Sequence, residues 1–162
     1  MITGGCLCGG IRFELDEAAG PFELCHCSRC RKVSGSAYLA MLGVRVARYR
    51  LLRGAELIAC YEAPLREAKP PYRSSFCRVC GSPVPNPDPN ATWFELPAGL
   101  LDDDPALRPD KHIFVERKAP WHHITDSLPQ LDKQQLIALR AATSPAEPRR
   151  RSAKNGNPAR SC

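Results

Sequence analysis

The residues of this chain that could do chemistry are its cysteines. Nine occur, as Cys6-Leu7-Cys8, Cys25-His26-Cys27-Ser28-Arg29-Cys30, a separate Cys60, Cys77-Arg78-Val79-Cys80 and the terminal Cys162. Nine is odd, and seven of them stand one or two residues from another. The stretch Met1-Ile2-Thr3-Gly4-Gly5 lacks the basic start and apolar run of a secretory signal. The chain is therefore expected to be cytoplasmic, where thiols stay reduced. In that setting thiolates two or three positions apart on a turn read as metal ligands rather than disulfide partners.

The count then separates two sites. Seven clustered cysteines are one short of two four-sulfur sites, so they fill one closed site and leave one with three ligands. Closed sulfur sites are structural, whereas three ligands and an open position mark a catalytic centre. Spacing assigns the remote pairs Cys6/Cys8 and Cys77/Cys80 to the closed site, because joining distant segments is what a structural metal does. The local triplet Cys25, Cys27 and Cys30 is left for the open one. Two alternatives stay open at this level. His26 could be a fourth ligand, although in extended chain it points away from Cys25 and Cys27. Cys60 could close the second site, although Leu57-Ile58-Ala59-Cys60-Tyr61 reads as a buried strand.

Short strands and turns must position these groups. Ile11 to Leu15 alternates after Gly9-Gly10 and predicts a strand. Ala37 to Val44 and Glu56 to Tyr61 read as apolar strands with Gly54 in the turn between them. Tyr72 to Phe76 leads into the Cys77/Cys80 turn, and Pro83, Pro85, Pro87 and Pro89 then enforce an irregular loop. Thr92 to Leu96 and His112 to Glu116 are further strands, separated by a solvated turn at Asp102-Asp103-Asp104-Pro105. Asp132 to Ala142 is the one segment that reads as a proper helix. Of the 16 prolines, 12 lie between Pro64 and Pro129, which excludes a helix bundle there.

Composition narrows the function classes. At 162 residues, 43% apolar and 25% charged, the chain suits one small globular domain. The longest mostly apolar run, Ala37 to Val44, is far short of the roughly 20 residues of a spanning helix. The formal charge is +6, but residues 141–162 carry five basic residues and one acid, so most of it belongs to a tail. The basic stretch therefore reads as a solvated, disordered end rather than a nucleic-acid surface. Residues 1–143 are expected to form the zinc-binding domain and 144–162 the tail.

Three segments carry a family resemblance: Gly5-Cys6-Leu7-Cys8-Gly9, Cys25-His26-Cys27-Ser28-Arg29-Cys30-Arg31-Lys32, and Ser75-Phe76-Cys77-Arg78-Val79-Cys80-Gly81-Ser82-Pro83. With Pro97 to Asp102, His112 to Val115 and Lys118-Ala119-Pro120-Trp121 in the same order, the chain resembles the glutathione-dependent formaldehyde-activating enzymes over residues 3 to 132. The resemblance implies an all-β, zinc-bearing β-tent of short antiparallel strands, here with a short C-terminal helix at about 132–142. It implies two zinc ions: a structural one on Cys6, Cys8, Cys77 and Cys80, and an active-site one on Cys25, Cys27 and Cys30. That partition matches the one from counting. Leu7 departs from the polar residue many members have between the first two cysteines.

The activity implied is that of a carbon–sulfur lyase that adds glutathione, or a related thiol, to formaldehyde or another small aldehyde. Zinc with three thiolates carries a formal −1, which suits a fourth soft sulfur better than making hydroxide. Arg29, Arg31 and Lys32 stand within or beside the ligand run and could offset the added charge and attract glutathione's carboxylates. The alternative is a zinc-stabilised module without catalysis, either a thiol carrier or a nucleic-acid or protein binder aided by the Arg149-Arg150-Arg151 tail. The near-neutral domain and the lack of a basic recognition helix argue against nucleic acid.

Overall fold

A computed structural model describes residues 1–64 and 71–143. Ten strands and two short helices succeed one another along them: β1 (Ile2–Gly5), β2 (Arg12–Leu15), β3 (Phe22–Cys25), α1 (Ser28–Ser34), β4 (Leu39–Arg45), β5 (Tyr49–Arg53), β6 (Ile58–Glu62), β7 (Arg73–Cys77), β8 (Trp93–Pro97), β9 (Lys111–Ile113), β10 (Gln130–Leu131) and α2 (Lys133–Thr143). They form a three-stranded sheet β1-β2-β5, a five-stranded sheet β10-β9-β3-β4-β8 and the hairpin β6-β7. The expected all-β domain is what forms. Pairing is antiparallel except that β9 runs parallel to both β3 and β10.

Alternation in β2 explains how the first two sheets meet. Phe13 and Leu15 are fully buried while Arg12 and Glu14 turn outward, as a strand with one covered face requires. They pack with Leu42 and Val44 of β4, Leu96 of β8, Phe22 and Leu100 as the main core. Truncating Leu42 or Leu96 to alanine would cost about 2–5 kcal/mol. A second cluster forms around Cys6, Ile11, Cys77 and Val84, and a third around Cys25, Cys30, Ile113 and Leu136. Each of the two smaller clusters surrounds one cysteine group.

Helix α2 starts where its residues dictate. The Asp132 carboxylate accepts the Gln135 N–H at 2.8 Å, and the Gln135 amide oxygen accepts the Asp132 N–H at 2.9 Å, a reciprocal capping box. The helix docks by burying Leu136 against Ile113, Cys25 and Cys30. Its Arg140 donates to Glu23 at 2.8 Å, and Lys111 lies 3.5 Å from the same buried carboxylate. A lone carboxylate at that depth would be costly, so two cations hold it there.

Several expectations are corrected. Gly54 does sit in a turn, in the left-handed conformation at φ 85°, but it joins β5 to β6, and β5 itself went unread. The stretch Ile58–Glu62 is not a buried strand: Ile58 packs against the cluster around Cys77, and exposure grows along the strand to Tyr61 and Glu62. His112 to Glu116 stops being strand at Ile113, since Phe114 adopts φ 57° and turns the chain into a 3-10 turn. The basic tail 144–162 lies outside the described residues.

Candidate metal centre

Two loops bring the first four cysteines together. Cys6 and Cys8 occupy the turn between β1 and β2, closed by Cys6 N–H to Ile11 O at 3.1 Å and Gly9 N–H to Cys6 O at 2.9 Å. Cys77 ends β7, and the chain turns back through Gly81, whose φ of 76° needs a residue without a Cβ. That turn is held by Gly81 N–H to Cys77 O at 2.8 Å and Cys77 N–H to Ser82 O at 2.9 Å. Ser82 joins the loops, because its hydroxyl accepts the Leu7 N–H at 3.0 Å and lies 3.4 Å from Cys80 Sγ.

The four sulfurs lie within 4.8 Å of one another. Cys6 and Cys8 are 3.5 Å apart, Cys8 and Cys77 3.8 Å. A tetrahedron with metal–sulfur bonds of about 2.3 Å has sulfur–sulfur edges of about 3.8 Å, so a zinc-sized ion fits this donor set. Backbone and hydroxyl donors already favour thiolates here. The Ile11 N–H reaches Cys6 Sγ at 3.2 Å. The Ser82 hydroxyl and N–H, with the Cys8 N–H, bring Cys80 down to about 5.

The second group is local. Cys25 ends β3 and is buried. Cys27 is the N-cap of α1, its sulfur accepting the Cys30 N–H at 3.4 Å, and Cys30 lies one turn into that helix. Gly35, left-handed at φ 64°, ends α1. The three sulfurs also lie within 4.8 Å of one another. Hydrogen bonds from Cys25 and Cys30 pull Cys27 down to about 2, while Cys25 is pushed up to about 12 by Cys27 and Cys30 is raised by both. Each thiolate raises the cost of ionising its neighbours, and a cation between the three sulfurs would favour the ionised form of all of them. The donor set suits a soft divalent metal.

No fourth protein donor joins this group among the described residues. His26 turns the other way. It is fully buried, with Nε2 2.8 Å from His112 Nδ1, and His112 Nε2 meets the Asp126 carboxylate at 3.1 Å. Burial, then the neighbouring His112 and His122, hold His26 down at about 4, so it is neutral. Cys60 sits in β6 opposite Ser75 and belongs to neither group.

The basic residues of the run part company. Arg29 lies with its guanidinium 5.2 Å from the Tyr72 ring centre and donates to the Pro64 carbonyl at 3.3 Å. The Arg31 Nε is buried with no hydrogen-bond partner among the described residues, and Lys32 is exposed. Tyr72 is raised to about 12 by burial and by the charges of Cys30, Cys27 and Cys25, so it stays a phenol. A cavity of about 350 Å³ lies beside it, with Leu39, Met41, Arg73 and Glu95 also in its lining. Sequence reasoning did not reach Tyr72, Glu95, His112 or Asp126, since each becomes relevant only through partners far along the chain. Ser82 was within the quoted motif, but nothing in its spacing indicated a hydrogen bond to a sulfur.

The family model described as glutathione-dependent formaldehyde-activating enzyme matches residues 1–117. A Halomonas elongata protein whose description carries the same family name is 32% identical over 129 residues, covering 76% of this chain and 81% of that one. A crystal structure of a Rhodobacter sphaeroides protein aligns with a TM-score of 0.47 at 25% identity, over 66% of this chain and 91% of that chain.

Proposed function

Because the chain belongs to the glutathione-dependent formaldehyde-activating enzyme family, we propose that it is a zinc-dependent carbon–sulfur lyase. It reversibly adds the thiol of glutathione, or a related thiol, to formaldehyde or another small aldehyde, giving the S-hydroxymethyl adduct. The carrying observation is the contrast between the two cysteine groups: four sulfurs converge in one, three in the other. In this reading one zinc on Cys6, Cys8, Cys77 and Cys80 holds the fold, and a second on Cys25, Cys27 and Cys30 serves the reaction.

Zinc held by three thiolates supplies a soft position for a fourth sulfur and favours its ionised form. The thiolate sulfur attacks the carbonyl carbon, the C=O electron pair moves to oxygen, and that oxygen takes a proton. Cys25, Cys27 and Cys30 hold the site, with the loop between the first two braced from behind by His26. Arg29 supports Tyr72, whose phenol is a donor beside the cavity, and Arg31 and Lys32 contribute positive charge toward glutathione's carboxylates. The protein's contribution to rate comes mainly from holding thiol and aldehyde in reacting geometry.

Domain and location follow from the same reading. Residues 1–143 work as the zinc domain in the cytoplasm, with small molecules rather than nucleic acid as partners. Among the described residues no helix is long and apolar enough to cross a membrane. The test is exchange NMR of formaldehyde with glutathione, with and without zinc-loaded protein. Faster exchange with the wild type but not with Cys27→Ser is expected. Equal rates with and without the protein would reduce it to a thiol carrier.

A further inference from the structure

The cavity beside the second cysteine group is far larger than formaldehyde. It measures about 350 Å³ and adjoins that group at one end. Leu39 of its lining stands opposite Cys25 in the β3-β4 pairing, and Met41 packs against the same cluster. Formaldehyde has two heavy atoms and needs little more than the roughly 30 Å³ of a water molecule. The cavity instead has the size of an ordinary small-ligand site.

Its wall is poor in hydrogen-bond donors. Five prolines line it, Pro71, Pro83, Pro85, Pro87 and Pro97, and none has an N–H. The Val84 N–H, between two of them, is spent on the Ser75 carbonyl at 3.0 Å. Arg73 and Glu95 also border the cavity, but their side chains are 54% and 57% exposed, so water compensates them, and Arg73 is paired with Glu62. Val33, Met41 and Phe94 complete an apolar surface. Glutathione's two carboxylates would go unsatisfied on such a wall, whereas a hydrocarbon gains by leaving water for it. Arg31 and Lys32, the cations assigned to those carboxylates, do not line it. Tyr72 does, and the charges of Cys30, Cys27 and Cys25 reach it, so a neutral donor stands at the cysteine end.

We propose that this cavity binds an apolar substituent carried by the aldehyde, so that the preferred electrophile is an alkyl aldehyde of several carbons rather than formaldehyde. This rests on reading the Cys25/Cys27/Cys30 group as the centre that binds the thiol. The alkyl chain lies along the proline wall and the carbonyl faces the sulfur, with the Tyr72 phenol donating to its oxygen. The sulfur–carbon bond forms, the C=O pair moves to oxygen, and that oxygen takes up the proton the thiol released. The product is a hemithioacetal.

A homologous series tests it, because propanal, butanal, pentanal and hexanal differ in chain length and hardly in carbonyl reactivity. With zinc-loaded protein and glutathione, kcat/KM for adduct formation, read by NMR, should rise about three- to fourfold per methylene. Filling the cavity in Val33→Phe or Ser74→Phe, each checked for folding by circular dichroism, should flatten the series. A flat or falling series in the wild type would overturn the subsite and leave the lyase reading intact. A steep series that survives in the folded variants would overturn its placement in this cavity. A rise seen instead for formaldehyde with propanethiol through hexanethiol would give the cavity to the thiol and overturn the assignment to the aldehyde. Acceleration of no aldehyde, formaldehyde included, would overturn the lyase reading and the subsite with it.

Discussion

His26 Nε2 lies 2.8 Å from His112 Nδ1, and both rings are buried. The contact ties the Cys25-His26-Cys27 loop to β9 and, through His112 Nε2, to Asp126. Leu128 N–H and then His112 hold the Asp126 carboxyl below its usual range, so it accepts. One hydrogen bond joins His26 Nε2 and His112 Nδ1, its donor set by the tautomers of the two rings. Replacing His112 with alanine leaves the buried His26 Nε2 without its hydrogen-bond partner and should cost about 1–3 kcal/mol in urea unfolding. His26→Gln should still bind the second metal, because His26 is not one of its ligands; loss of that metal from folded protein would contradict this assignment.

The two cysteine groups should behave differently when cut. Metal analysis of the wild type is expected to return two zinc ions per chain. Cys80→Ser should leave the chain largely unfolded, since the energy of binding a structural metal is folding energy. Cys27→Ser should remain folded and retain one zinc. A folded Cys80→Ser protein that still carries both ions would contradict the division of roles.

Ser82 supports the first group without being a ligand. Its hydroxyl lies 3.4 Å from Cys80 Sγ and is the main reason that thiol falls to about 5. Ser82→Ala should raise the Cys80 pKa toward the ordinary thiol value and weaken zinc binding about 10- to 100-fold, the usual cost of losing such a partner. Competition with a chromophoric chelator would measure it.

The three consecutive aspartates do not form a metal site; each has its own partner. Asp102 pairs with Arg12 at 2.6 Å, Asp103 accepts from Thr3 and Asp104 from Arg108. The Arg108 guanidinium, then the Ala106 N–H, depress Asp104 to about 2. A depressed carboxyl contributes stability above its unfolded value of 3.8, and that contribution is lost as pH falls toward 2. NMR titration should place its midpoint near 2, and Arg108→Ala should return it toward 3.8.

Much of this was readable because cysteine spacing is a local signal. The four-plus-three partition needed only counting, Ile11 to Leu15 announced β2 through alternation, and Asp132 to Ala142 announced α2 through its apolar Leu136, Ile137 and Leu139. What escaped depends on tertiary context. β1 is half glycine, and Gly4 is forced by a close approach: a Cβ there would lie 2.5 Å from Phe13 Cζ. α1 is a short polar segment whose N-cap is Cys27, so its start carries no ordinary capping signal.

The central claim is that the Cys25/Cys27/Cys30 centre keeps a position for an external thiolate. Cobalt-substituted protein titrated with glutathione tests it directly, because cobalt–thiolate absorption reports each sulfur added. The account predicts a saturable rise in the sulfur-to-cobalt charge-transfer band with glutathione that is lost in Cys27→Ser. A spectrum that glutathione leaves unchanged, in protein carrying two cobalt ions, would contradict it.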